Sequence, residues 1–379
     1  MIYLDNSATT IVSKRAADIA TKYMTDYFYN PSSAYNAAVG VDRDVKSARI
    51  RLANTLFATP EEFIYTSGGT ESNNAAILGS LKMKRGKGRI ICSKVEHPSV
   101  FEVFSMLSSM GYEVIFAPVN PDGSINLNKL KEIITPNTQL VSIMHVNNET
   151  GAVNDLVSCR AIIKALSPEA VFHSDGVQAY CKLPFTKPAA DLYSISGHKI
   201  HAPKGIGALY ISKDTKFYGS LIGGGQERGL RSGTTNVPGI MALDAALDDY
   251  ANNQAHYIDT MRQCKMRLAK NLMSLNDTAI NGPKPEQGAP HILNVSFLGV
   301  RGEVLLHTLA EKDIYVSTGS ACSTHKKSNR ILESMGINSD RREGAIRFSF
   351  SGLNNLQEID IVSNVIADSL PILRKYKRR

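Results

Sequence analysis

Between residues 60 and 215, short apolar runs rich in β-branched residues alternate with stretches whose apolar positions recur at helical spacing. Phe63-Ile64-Tyr65-Thr66 leads through a glycine turn into the apolar run 74–81. Arg89-Ile90-Ile91-Cys92 precedes a stretch at 98–110 in which Val100, Phe101, Phe104 and Leu107 fall on one helical face. Further strand-like runs follow at 113–119, 140–146, 170–173 and 191–196, and 205–211 reads as one more strand. Strands alternating with helices predict an α/β fold with a mostly parallel sheet covered on both faces. Helices at 236–252 and 257–275 bridge to a second unit. There, strands at 291–297, 314–317 and 345–350 interleave with helices at 303–311 and 356–376, which reads as a smaller α/β layer.

Composition adds bounds. The 379 residues are 43% hydrophobic and 21% charged, an ordinary globular balance that argues against extended disorder, and the length favours two domains. No apolar stretch is long enough to cross a bilayer, and the start MIYLDNSATT has no charged-then-apolar leader, so a cytoplasmic enzyme is expected. Five cysteines, at 92, 159, 181, 264 and 322, are scattered without CxxC spacing. They suit a reducing compartment and argue against a structural metal. The net charge of +8 is concentrated in part at Arg374, Lys375, Lys377, Arg378 and Arg379. A solvated helix end explains this tail better than an acidic partner or tRNA, because no base-stacking aromatics are interleaved with the charges.

Candidate chemistry gathers where strands end. TSGGTES (66–72) joins a strand to a helix start, a turn that can present N–H groups to an anion, although a Gly-Gly turn alone is more often only a turn. SISGHK (194–199) places Lys199 after a strand, at the carboxyl edge where parallel sheets bind ligands and where a desolvated lysine forms Schiff bases. In HSDGVQAY (173–180), Asp175 could pair with a protonated ring nitrogen while Gln178 reaches a neighbouring oxygen; helix capping is an equal alternative for Asp175. His97 in VEHPSV could stack on a planar group or serve as a structural hydrogen-bonder. STGSACST (317–324) surrounds Cys322 with small residues, as in an accessible loop; the other four cysteines read as buried and structural.

Taken together these segments resemble the cysteine desulfurases, pyridoxal-phosphate enzymes of the class V aminotransferase group. The resemblance runs through YLDNSATT (3–10), NPSS (30–33), TSGGTESNN (66–74), HVNNETG (145–151), SGHK (196–199), PKGIGALY (203–210), GGGQERGLRSGT (223–234), NVSF (294–297), TGSAC (318–322) and IRFS (346–349). It implies the pyridoxal-phosphate fold type I, with a large domain (12–255) built on a seven-stranded sheet. It also implies a small domain (1–11 and 256–379) that carries the cysteine loop, and a homodimer. Lys199 would hold pyridoxal 5'-phosphate, Asp175 would pair with the ring nitrogen, Gln178 with the ring hydroxyl oxygen, and His97 would stack and shuttle protons. Gly69, Thr70, Ser196 and His198 would bind the phosphate, and Thr234 that of the neighbouring subunit. Arg347 and Asn148 would fix the carboxylate of L-cysteine, and Cys322 would accept its sulfur as a persulfide. The sulfur would pass to an acceptor protein, an iron–sulfur scaffold or a tRNA-thiolation enzyme, without direct contact to nucleic acid or membrane. Tyr35 and Asn36 stand where the family usually has His, Ala202 replaces a common Gly, and the run after Cys322 is longer than in the compact-loop branch. A selenocysteine lyase, another class V transaminase or lyase, or a silent docking subunit are the competing readings.

Overall fold

A computed structural model describes residues 1–318 and 330–375. Cys322, with the accessible loop expected around it, and the tail beyond Lys375 lie outside the described residues. The chain opens with β1 (Ile2–Tyr3), α1 (Lys14–Thr25) and α2 (Asn36–Thr55). It then alternates through β2 (Phe63–Thr66), α3 (Gly69–Leu81), β3 (Arg89–Ser93), α4 (Pro98–Ser109), β4 (Glu113–Ala117), α5 (Leu127–Ile133), β5 (Thr138–Ser142) and α6 (Leu156–Leu166). β6 (Val171–Asp175), β7 (Leu192–Ser196) and β8 (Gly207–Ile211) complete the sheet before the long helix α7 (Val237–Met273). The remainder comprises β9 (Thr278–Ile280), β10 (Ile292–Phe297), α8 (Gly302–Ala310), β11 (Ile314–Tyr315), α9 (Arg330–Ser334), α10 (Ser339–Glu343), β12 (Ala345–Ser349) and α11 (Leu356–Lys375).

Seven strands pair in the order β2-β8-β7-β6-β5-β3-β4, and β8 alone runs antiparallel to its neighbours. The strands are apolar on both faces because helices cover both. Phe63, Tyr65, Phe172, Tyr193 and Tyr210 pack with α1, α2 and α7, whereas Ile64, Leu192 and Leu209 pack with α3 and α4. Alternate residues of one strand thus enter different cores, as the period of two requires. Complete burial of one such ring contributes about 1.5–3 kcal/mol.

A separate core joins Leu4, the second half of α7, β10, β12, α8 and α11. β12, β10 and β9 form an antiparallel three-stranded sheet, and β1 pairs with β11. The two helices expected at 236–252 and 257–275 are one, Val237–Met273. The polar run Asn252-Asn253-Gln254 does not break it. Both asparagine amides donate to carbonyls one turn back, Asp248 and Asp249, while Gln254 reaches the carbonyls of Cys181 and Leu183. Tyr250 and Tyr257, meeting edge-on at 5.2 Å, keep that turn packed. The strand expected over 140–146 ends at Ser142, after which the backbone turns to form the loop of Asn147 and Asn148. Arg374 donates to the carbonyls of Leu298 and Asn276, so the start of the basic tail is tied to the protein surface. Among the described residues no helix is long and apolar enough to cross a membrane.

Candidate active site at the carboxyl edge of the large sheet

The ends of β2, β3, β5, β6 and β7 open on one edge, and the segment Leu4–Thr10 is strapped across it. Ser349 at the end of β12 accepts from Ser7 N–H and Asn6 Nδ2, which anchors one side of the strap. Thr10 N–H donates to the carbonyl of His198 at 2.9 Å, which anchors the other. Carbonyl oxygens of the strap therefore face the site.

Lys199 lies in a short 3-10 turn immediately after β7. Its Nζ donates to the carbonyls of Ser7 and Ala8, both at 2.6 Å. The Ser7 oxygen also accepts from Gln178 Nε2 at 2.9 Å, so one carbonyl gathers the two side chains. Gln178 Oε1 in turn accepts from Lys182 Nζ at 2.9 Å.

Asp175 closes β6 and is buried. Oδ2 accepts from Asn73 Nδ2 at 2.7 Å, and Oδ1 accepts from Val177 N–H at 2.9 Å. Among the described residues no helix stands between β6 and β7, so the helix-capping alternative is not realised; Oδ1 instead closes a local turn on Val177 N–H, which fixes the carboxylate plane. Asn73, on α3, also donates to Ser99 Oγ at the start of α4 and so ties both helices to Asp175.

His97 caps α4: its Nδ1 accepts from Ser99 N–H at 3.2 Å, which leaves the neutral ring with its hydrogen on Nε2. The ring is exposed at the mouth of the site but crowded by protein. Desolvation lowers its pKa, Asp175 opposes, and Lys199 and Arg330 reinforce. The neutral form therefore prevails near neutrality. Beside it, burial holds the Glu96 carboxyl well above the usual range, the Met144 N–H opposing and Asp175 adding.

Gly68, at φ +148, caps α3 in a conformation that side chains rarely adopt. A Cβ on Gly69 would meet Val177 Cγ2 at 2.8 Å and Ser196 Cβ at 3.5 Å, so the helix start lies against the end of β7. Thr70 is exposed on that turn and Ser196 is buried. His198 Nδ1 lies 3.2 Å from Thr9 Oγ1, and burial pushes its pKa down to about 4, with Lys199 and Lys204 contributing. Arg231 pairs with Glu71 at 2.9 Å and holds the segment 223–234 against α3. Thr234 stands exposed on that segment, outside the network around Lys199.

Arg347, on β12, is buried. Nη2 pairs with Asp5 Oδ1 at 2.7 Å, and Nη1 donates to the carbonyl of Asn148 at 3.0 Å. Its Nε and the side-chain oxygen of Asn148 are buried without partners among the described residues. The structure thus brings Lys199, Gln178, Asp175 and His97 together, and separately joins Arg347 to Asn148. Sequence reasoning gave no role to Asp5, Ser7, Asn73 or Lys182. The first three sit in segments that carried the resemblance, which was the available signal; Lys182 had none. The cysteines at 92, 159, 181 and 264 are buried.

Residues 2–362 match the family model described as aminotransferase class-V. A cysteine desulfurase of Trichormus azollae is 38% identical over 378 residues, 99% of this chain and 94% of that protein. A solved NifS-like protein matches with a TM-score of 0.92 at 34% identity, covering 98% of this chain and 100% of the other. SspA, solved in complex with cysteine, matches with a TM-score of 0.80 at 30% identity, covering 92% of this chain and 99% of the other.

Proposed function

Because the chain belongs to the class-V aminotransferases and, among them, to the pyridoxal-phosphate-dependent cysteine desulfurases, we propose that the edge site takes L-cysteine to L-alanine and passes the sulfur to Cys322. The observation that carries the reading is the convergence of Lys199 and Gln178 on the Ser7 carbonyl, with His97 and Asp175 close enough to feel Lys199 or each other. The residues fit the cofactor. The Gly68-Gly69 turn lets the start of α3 approach Val177, beside Ser196, more closely than a side chain would allow, and the buried Asn148 oxygen and Arg347 Nε have no polar partner among the described residues.

Bound there, pyridoxal phosphate supplies an aldehyde for an amine and a ring that takes up negative charge. Lys199 would hold it and, once released, would move the proton at the substrate α-carbon. Asp175, oriented by Asn73, would keep a proton on the ring nitrogen. Gln178 would donate Nε2–H to the ring hydroxyl oxygen. His97 would cover one face and, being neutral, could accept or return a proton. Gly69, Thr70, Ser196 and His198 would take the phosphate. Arg347 would take the substrate carboxylate on its guanidinium, with Asn148 beside it.

The exposure of Thr234 and of Ile222, 80% exposed on the same stretch, supports a homodimer in which this segment meets the partner's phosphate site. The sulfur would go to an iron–sulfur scaffold or a tRNA-thiolation enzyme in the cytoplasm. The test is incubation with L-cysteine followed by alanine assay and mass spectrometry. Alanine and one added sulfur on Cys322 are expected. Cys322→Ala should keep the visible absorption and lose alanine formation; undiminished turnover would reject the desulfurase in favour of a lyase that needs Lys199 alone.

A further inference from the structure

We infer that Lys182 is a positioning residue that sets the orientation of the Gln178 amide, and through it the hydrogen-bond donor offered to the cofactor. The inference rests on the pyridoxal-phosphate reading of the site. After β6 the backbone folds into successive turns: Ala179 and Tyr180 N–H both donate to the carbonyl of Gly176, and Lys182 N–H donates to that of Ala179. Cys181, at φ +65, reverses the chain. The result carries the Lys182 side chain back beneath Gln178, where it is 2% exposed.

The two ends of a glutamine amide have nearly the same shape and differ only in donor and acceptor character. At one end, the Ser7 carbonyl can only accept, so it requires Nε2. At the other, Lys182 Nζ donates to Oε1 at 2.9 Å and satisfies an oxygen that water does not reach. With both ends engaged, the second hydrogen of Nε2 has a fixed direction into the site. Without Lys182, Oε1 would be a buried acceptor with no partner, a state that side chains leave by rotating. Rotation would withdraw the donor from the ring oxygen. Lys199, Arg347, His291 and the Cys181 thiol lie near enough to interact with the Lys182 charge. The amine's hydrogen bond goes to Gln178, while its electrostatic effect also reaches Lys199 and His198 directly, and the double variant below separates the two routes.

The experiment titrates the visible absorption of the full-length holoenzyme against pH, without substrate, for the wild type, Lys182→Met and Gln178→Leu. A donor to the ring oxygen favours its ionised form, so losing the donor raises the midpoint. Lys182→Met should raise it by about one pH unit, in the direction of Gln178→Leu, and should weaken cofactor binding about tenfold. The double variant should titrate like Gln178→Leu alone. A merely structural role would lower thermal stability and leave the midpoint in place. If Lys182→Met does not fold, Lys182→Gln, too short to restore the contact, is read in the same way. A titration superimposable on the wild type in either variant overturns the inference. A colourless wild type that takes up no pyridoxal phosphate overturns the cofactor reading instead.

Discussion

Arg347 and Asp5 are 342 residues apart in sequence and 2.7 Å apart in space, Nη2 to Oδ1. With Nη1 on the Asn148 carbonyl, the guanidinium is held at two points, and its buried Nε has no partner among the described residues. Asp5 therefore orients the fork for an incoming carboxylate. Asp5→Ala should raise the KM for L-cysteine about tenfold and leave kcat within about twofold, since a charge-assisted hydrogen bond is involved and ground-state binding is what suffers. Steady-state kinetics decide. A lower KM would mean that Asp5 competes with the substrate instead.

Arg49 and Glu227 form a two-point pair at 2.6 and 2.7 Å, largely out of solvent, and Tyr65 N–H adds a bond to Glu227 at 2.9 Å. The pair pins a backbone that is otherwise unfavourable, because Glu227 and Arg228 both have positive φ. Glu227→Ala would leave the Arg49 charge buried and unmatched, at a cost of about 3–5 kcal/mol. Denaturant unfolding should show that loss, and cofactor occupancy should fall with it because the same segment carries Thr234. A loss under about 1 kcal/mol would show that the pair is not what holds the segment.

The large sheet was legible because four- to six-residue runs such as Arg89–Cys92 and Asp191–Ser196 are too short and too apolar to be buried as anything but strands between helices. The chemistry at their ends was legible by residue type and by resemblance. Several features were not. That Ser7 offers its carbonyl to Lys199 and Gln178 depends on a strap 171 and 192 residues away, and a backbone oxygen carries no side-chain signature. Lys182 carries no motif of its own in the run Ala179–Phe185, and only the folded backbone places it under Gln178. The continuity of α7 was hidden because Asn252-Asn253-Gln254 has the composition of a loop. What makes it helical is Gln254 reaching the carbonyls of the turn after β6, a partner unseen in sequence.

Several imidazoles are kept neutral by burial. His173, between Ser142 and Ser194, is pushed down to about 3, and His145, bonded to Tyr193, to about 4. A lowered folded-state pKa means that the unfolded chain binds protons first. Their contribution to stability is complete above about pH 6.5 and is lost as the pH falls through the window down to about 4 and then about 3. Each group should remove about 1.4 kcal/mol per pH unit inside its window. Unfolding free energies measured from pH 8 to pH 5 should stay level and then decline, and His173→Asn should reduce the slope. A profile flat to pH 5 would contradict the burial argument.

Gly176 follows Asp175 directly, and an added Cβ would lie 2.1 Å from Cε1 and Cζ of Tyr193. That ring cannot swing aside easily: it is buried, and its hydroxyl is 2.9 Å from His145 Nδ1. The backbone must move instead, and Asp175 moves with it. Gly176→Ala should therefore lose about 1–3 kcal/mol of stability through overpacking, and the cofactor should dissociate more readily than stability alone explains. Gly40, inside α2 with nothing within 4 Å of an added Cβ, is the control. Gly40→Ala should gain about 0.5–1 kcal/mol from helix propensity and leave cofactor binding unchanged. Thermal unfolding paired with equilibrium dialysis of pyridoxal phosphate separates the two effects. Equal cofactor affinity in both variants would show that the position of Asp175 tolerates the displacement.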